Sequence, residues 1–199
     1  MNLRLRWGAR PLLAALCLLA LPAGADTGRA SGLYQVEVII FTNRAGNPGE
    51  DLGRPAEGRN FNGVFDSNDP PPKVVKILDV SQMQLGGIAA RMQSSGSYQV
   101  LAHAGWIQSA TGWNRHAGLP LDQVGIAVPG LNGNLYLERG QLLHFGVNLT
   151  FGTDPVNTLA ELRLIKLNDK NYFDHPVFGV IAMVTPASAA AAAAAADQP

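Results

Sequence analysis

The chain has 199 residues, with 15 basic and 15 acidic side chains, a formal net charge of zero and one cysteine. The balanced charge, with no cluster of lysine or arginine beyond residue 10, argues against a nucleic-acid partner. A single cysteine excludes an internal disulfide and any metal site built from several thiolates.

The first 25 residues have the three parts of a secretory signal peptide. Three arginines precede an apolar run, residues 11–21, that is too short to span a membrane. Pro22 ends this run, and the small residues at 23–25 fit the site that signal peptidase cuts. We therefore expect cleavage after Ala25 and export to the periplasm. A buried N-terminal helix is the alternative interpretation.

Cys17 lies inside this predicted signal, and the residue before it is Leu16. A bacterial lipoprotein signal needs a small residue there, so we expect no lipid anchor. Cleavage would remove the cysteine and three arginines, leaving 12 basic residues against 15 acidic ones. With no second long apolar segment, the exported domain, residues 26–186, is expected to be soluble and without a membrane anchor.

Residues 33–41 alternate as a strand does, with Tyr34, Val36, Val38 and Ile40 on one face. The following residues, 42–72, contain five glycines and five prolines and have no periodicity, which predicts a long loop. At the other end of the chain, the alanine-rich residues 187–199 have no pattern for docking and predict a disordered tail.

One helix is predicted after residue 81. Ser81 and Gln84 have the spacing of a capping box, and Gly96 is suitable for the helix end. Between them, four apolar residues fall at i, i+3, i+4 and i+7 and form one stripe: Leu85, Ile88, Ala89 and Met92.

The rest of the domain is predicted to be strands separated by turns. The segments are 98–108, 124–128, 135–138, 142–151, 158–167 and 177–184. In the first, alternation predicts that Tyr98, Val100 and Trp106 share one face, and Trp106 is expected in the core. Short connections favour antiparallel pairing, so the fold class is α+β: a single domain with a mainly antiparallel β-sheet and one main helix on a face.

No catalytic motif is present: the chain lacks G-x-S-x-G, H-E-x-x-H, a P-loop and G-x-G-x-x-G. The four histidines, His103, His116, His144 and His175, are far apart in sequence, and no two have metal-ligand spacing. We therefore expect no enzyme activity, no metal and no cofactor.

Two segments carry candidate functional groups. Asp174 beside His175 could orient a general base, but Asp-His-Pro also suits a turn before a strand, and the turn is favoured. Trp113 stands beside Arg115 in a glycine-containing loop, where an exposed ring could stack on a sugar or anchor a protein partner.

Four segments, in order, resemble the CsiV family of periplasmic peptidoglycan-binding proteins. They are YQVEVIIF at 34–41, LAHAGWIQ at 101–108, LLHF with NL at 142–149, and YFDHPVFGV at 172–180. The chain departs from the family at Leu142, where tyrosine is common, and at Asn148, where aspartate is common. Residues 42–72 also lack the tryptophan-containing acidic segment often found there.

The resemblance implies a non-enzymatic accessory of cell-wall assembly that binds peptidoglycan, the lipoprotein activator of a class A penicillin-binding protein, or both. Our candidate contact residues are polar or aromatic positions at strand ends and loops: His103, Trp113, Arg115, His144, Tyr172, Asp174 and His175. Two alternatives remain open, a periplasmic hydrolase using Asp174 and a histidine, and a purely structural envelope protein.

Overall fold

A computed structural model describes residues 32–44 and 69–188 of the chain. The predicted signal peptide, residues 45–68 of the predicted loop and residues 189–199 of the predicted tail lie outside the described residues. The described elements are β1 (Leu33–Asn43), β2 (Val74–Ile77), a 3-10 helix (Val80–Gln82), α1 (Gly86–Ser95), β3 (Tyr98–Ser109), β4 (Thr111–Gly112), β5 (Leu119–Pro120), a second 3-10 helix (Leu121–Val124), β6 (Leu131–Arg139), β7 (Leu143–Phe151), β8 (Asn157–Leu164), β9 (Lys170–Asp174) and β10 (Phe178–Pro186).

The strands form two five-stranded sheets. Sheet A has the order β2-β3-β1-β10-β9, and sheet B has the order β4-β6-β7-β8 with β5 also paired to β6. All pairs are antiparallel except the short β4–β6 pair. The predicted α+β class, with mainly antiparallel strands and one α-helix, is confirmed, while the division into two sheets was not predicted.

The main core lies between the two sheets. Alternate residues of β1, including Val36, Val38 and Ile40, point toward sheet B and are fully buried. Phe145 and Val147 of β7 meet them from the other side, in the same apolar cluster. Trp106 also belongs to this cluster and is 1% exposed, which confirms its predicted place in the core.

Helix α1 covers the opposite face of sheet A. Leu85 and Ala89, from the predicted apolar stripe, pack with Ile39 and Ile181 in a second buried cluster. The helix ends at Gly96, whose φ of 71° is left-handed, as predicted for that glycine. Within residues 32–44 and 69–188, no helix is long and apolar enough to cross a membrane.

The predicted capping box at Ser81 and Gln84 is wrong. The capping box instead pairs Asp79 with Gln82, two residues earlier, and belongs to the first 3-10 helix. The start of α1 is capped from outside by Glu37 of β1. This carboxylate accepts hydrogen bonds of 2.7 Å from the backbone N–H groups of Gln84 and of Leu85. A distant strand thus supplies the negative group that a helix N-terminus favours.

A β-bulge changes the direction of the first part of β3. Ile40 pairs with Ala102 but Phe41 pairs with Val100, so Leu101 is the extra residue. Val100 therefore packs against the α1 side of sheet A, whereas Trp106 faces the main core. The prediction that Tyr98 and Val100 share a face with Trp106 is wrong because strict alternation does not continue through a bulge.

The segment 113–118, between β4 and β5, lies across the outer face of sheet B. Its Gly118 comes so close that an added Cβ would lie 2.8 Å from Cβ of Asn134 and 3.0 Å from the ring of Tyr136. Tyr136 is 1% exposed and Glu138 is fully buried, although both point away from the main core. The segment therefore shields polar residues of β6 from solvent.

Candidate functional site

A groove with tyrosines at both ends lies between α1 and sheet A, and we call it the tyrosine groove. Its volume is about 530 Å³, within the range typical of ligand sites, roughly 300–1,000 Å³. It is lined by Phe41, Asn43, Ile88, Met92, Tyr98, Tyr172, Phe173, Asp174, His175 and Ile181. Three of the sequence-predicted contact residues, Tyr172, Asp174 and His175, thus meet here.

The sheet order places the two tyrosines apart. Tyr98 comes from β3 and Tyr172 from β9, and the strands β1 and β10 lie between them. Tyr98 reaches the groove because of the β-bulge, and its ring makes an edge-on contact with Phe41 at 5.4 Å. The two tyrosines are 37% and 54% exposed, so their rings are accessible to a ligand.

Gly179 makes room for the apolar floor of the groove. It pairs with Phe41 on one side and with Asp174 on the other. A Cβ at this position would lie 2.7 Å from Cζ of Phe41 and 3.0 Å from the carbonyl oxygen of Phe173. Only glycine lets the Phe41 ring lie across β10 at this point.

His175 sits in the turn between β9 and β10. Its Nδ1 accepts a hydrogen bond of 3.2 Å from the Val177 amide, and its own amide donates to the carbonyl of Phe178 at 3.1 Å. Burial lowers the pKa of His175 below 6.5, and the charge of Asp174 opposes this effect. The neutral ring with Nδ1 as acceptor carries its proton on Nε2, which can donate to a ligand.

The turn interpretation of the Asp-His-Pro segment agrees with these contacts. The side chain that bonds the backbone of this turn is that of His175. Among the described residues, no hydrogen bond joins Asp174 to a histidine. The groove therefore combines aromatic faces with a carboxylate, an amide and an imidazole at its edge, a set that suits a polar ligand with apolar faces.

A second group of functional side chains lies on the outer face of sheet B, and we call it the Trp113 cluster: Trp113, His116, Glu138 and His144. Trp113 is 43% exposed and its ring lies 4.2 Å from that of His144, centroid to centroid. The Trp113 backbone N–H donates to the carbonyl of Arg139, which fixes the loop to β6. Nδ1 of His116 lies 2.8 Å from Oε1 of the buried Glu138.

Two buried atoms of the Trp113 cluster have no hydrogen-bond partner among the described residues, Oε2 of Glu138 and Nδ1 of His144. Their residues are directly opposite each other in the β6–β7 pair. Such orphaned groups are uncommon in protein interiors and cost free energy. Sequence reasoning missed Glu138 and His116, because only the strand register and the covering loop bring them to His144.

Arg115 lies beside this cluster and is exposed. Its Nε is 3.0 Å from Oδ2 of Asp69, and this carboxylate raises the pKa of Arg115 through the hydrogen bond and its charge. Among the described residues, no group of three or more His, Cys, Asp or Glu side chains is placed to hold a metal ion.

His103 has a third location. It lies under the start of α1, with Nε2 2.7 Å from Oε1 of Glu37. Its side chain is 16% exposed and braces the carboxylate that caps the helix. The seven predicted contact residues thus divide into His103 at the cap, three residues in the tyrosine groove and three on the opposite face, at or beside the Trp113 cluster.

Comparison with known proteins gives one family. The model of a family described as "Peptidoglycan-binding protein, CsiV" matches residues 11–163, more than half of the chain. The match contains the first three of the four resembling segments and ends before the fourth, at 172–180. No curated protein and no solved structure matches the chain significantly.

Proposed function

The chain belongs to the CsiV family of peptidoglycan-binding proteins, and we propose that it is a non-enzymatic periplasmic accessory of cell-wall assembly that binds the glycan in its tyrosine groove. The observation that carries this proposal is the pair of exposed tyrosines at the ends of an apolar groove with polar groups at its rim. The predicted signal peptide supports the periplasmic location.

The chemistry of a glycan strand fits such a groove. Each pyranose ring has an apolar C–H face that stacks on aromatic side chains, and hydroxyl and acetamido groups around its edge. Tyr98 and Tyr172 supply the aromatic faces. Asp174 accepts hydrogen bonds from hydroxyl or amide groups, and neutral His175 donates one through Nε2.

The test is sedimentation of the purified protein with insoluble sacculi. We expect the wild-type protein to sediment with sacculi alone, and Tyr98→Ala and Tyr172→Ala each to weaken binding by about three- to tenfold, as loss of one stacking contact predicts. Trp113→Ala, an exposed aromatic residue on the opposite face, is the matched control and should keep wild-type binding. Full binding by a Tyr98→Ala/Tyr172→Ala double variant would contradict the assignment.

We also propose that the outer face of sheet B, which carries the Trp113 cluster, contacts a protein. This partner is the lipoprotein activator of a class A penicillin-binding protein. This idea is favoured by large apolar side chains left exposed on or beside this face: Trp113 is 43%, Leu142 57% and Leu164 53% exposed. Leu164 lies directly opposite His144 in the β7–β8 pair. Such exposed apolar groups together are typical of interaction surfaces.

A pull-down from envelope extract distinguishes this protein contact from glycan binding. We expect the protein to recover the lipoprotein from extract in the absence of sacculi, and Trp113→Ala or Leu164→Ala to reduce this recovery while Tyr172→Ala does not. If Trp113→Ala and Leu164→Ala both recover as much lipoprotein as the wild type, this face of sheet B is not the contact surface. If neither sacculi nor lipoprotein were bound, a purely structural envelope role would be favoured instead.

A further inference from the structure

Strand β8 is an edge strand of sheet B within the described part of the chain. It pairs with β7 on one side, and the sheet order ends there. An unpaired edge offers a row of backbone donors and acceptors to another strand. The sequence of β8 and its flank, TLAELRLIK at 158–166, is close to symmetric about Leu162 in its apolar and charged residues.

One hydrogen bond shows which residues of β8 bond to β7 and which direct their backbone groups to the free edge. Ile165 N–H donates to the carbonyl of Leu143, and 143 and 165 are opposite in the β7–β8 register. In an antiparallel pair, bonded residues alternate with non-bonded ones. The odd-numbered residues of β8 therefore bond to β7, while Ala160, Leu162 and Leu164 direct their N–H and C=O groups to the free edge.

From this hydrogen-bonding pattern we infer that two copies of the chain pair through their β8 strands. The two strands run antiparallel, with Leu162 opposite Leu162 of the second copy. The outward-directed residues then bond to one another, and Ala160 lies opposite Leu164. Leu164, 53% exposed in the single chain, gains an apolar neighbour. On the other face of the strand, Glu161 of each copy lies opposite Arg163 of the other, twice by symmetry.

Charge favours this register over the two nearest registers in which the same residues form hydrogen bonds. A shift that centres the pair on residue 161 places Glu161 opposite Glu161, and a shift to residue 163 places Arg163 opposite Arg163. Like charges opposite each other destabilise a pair, whereas opposite charges stabilise it. Within one chain Glu161 and Arg163 already form an ion pair, and Cζ of Arg163 lies 4.7 Å from the Phe173 ring centre, so both side chains have defined positions before a second copy binds.

The test combines charge-reversal variants with mixing of the variants. The full chain is purified from periplasm, and its mass is measured by sedimentation equilibrium. Concentrations up to about 100 µM are needed because an interface made by one short strand is small and should bind weakly. We expect the wild-type protein to be a dimer. Glu161→Arg and Arg163→Glu alone should each weaken the dimer by about tenfold or more, because each places like charges opposite twice. Thermal unfolding of each variant shows that it remains folded.

Mixing the two single variants is the decisive experiment. One copy then carries two arginines and the other two glutamates, so every cross-strand pair is complementary and a heterodimer should form with wild-type affinity. A defect in folding would not be corrected by mixing. A wild-type protein that is monomeric at 100 µM overturns the inference, and so do single variants that dimerise normally or fail to form the mixed dimer.

Discussion

Two buried glutamates allow a sharp test of how this fold is stabilised. Glu37 and Glu138 are 1% and 0% exposed, and each lies within hydrogen-bonding distance of one histidine. Glu37 also accepts two backbone N–H groups, whereas Oε2 of Glu138 has no partner among the described residues. Replacing each by glutamine removes a buried charge in both cases and keeps the shape, so the difference between the two outcomes depends mainly on the hydrogen bonds.

Glu37→Gln should be strongly destabilising. One carboxylate oxygen becomes an NH₂ group, which cannot accept the N–H of Gln84 or of Leu85. A hydrogen bond to a charged group contributes about 1.5–3 kcal/mol, and the remaining bond weakens when the charge is lost. We expect a loss of about 3 kcal/mol in the free energy of unfolding, with hydrogen exchange in α1 accelerated first.

Glu138→Gln should be nearly neutral, because Oε1 can still accept from His116 and no existing bond is lost. We expect a change within about 1 kcal/mol, in either direction, since a buried charge with an unsatisfied oxygen is removed. Urea unfolding at pH 7, with equal m-values for all three proteins, measures both effects. The reasoning is refuted if Glu37→Gln costs less than about 1 kcal/mol or if the two variants are destabilised equally.

Two further predictions concern the tyrosine groove. Gly179→Ala, whose Cβ would lie 2.7 Å from Phe41, should lower the free energy of unfolding by about 1–3 kcal/mol and weaken sacculus binding. Gly86→Ala is the control: a Cβ there has no atom within 4 Å and should raise the free energy of unfolding by about 0.5 kcal/mol. Thermal melts that rank the two variants in the opposite order would contradict this prediction. The pKa of His175 is lowered in the folded state, so its contribution to stability is complete above about pH 6.5 and is lost as the pH falls through the folded pKa. His175→Gln should therefore lose less stability than wild type between pH 7 and pH 5 in urea titrations, and identical losses would show that this ring is not responsible.

Several features of this fold could be predicted from local sequence patterns. The stripe of α1, the glycine at its end and the burial of Trp106 follow from spacing within one element, and the structure confirms all three. Each depends on neighbours only a few residues away, which is the range over which periodicity carries information.

The missed features depend on contacts between distant segments. Tyr98 turns into the groove because Leu101 is a bulge, and a bulge depends on the register with β1. Glu37 caps a helix that begins 49 residues later in the sequence. Glu138 becomes part of the Trp113 cluster only when β6 pairs with β7 and segment 113–118 covers them. No single window of sequence contains these facts.

The central pair of sheet A has a consequence for the order of folding. β1 begins at Leu33 and its partner β10 begins at Phe178, so the middle strand of sheet A pairs with the last strand of the described residues. Pairing over such a sequence separation makes the contact order high and folding slow. Until the chain has grown past Phe178, β1 lacks one of its two neighbouring strands, so sheet A cannot be completed. For the export predicted from the signal sequence, late completion of sheet A would favour passage through a narrow translocation channel as an unfolded polypeptide, with folding on the far side.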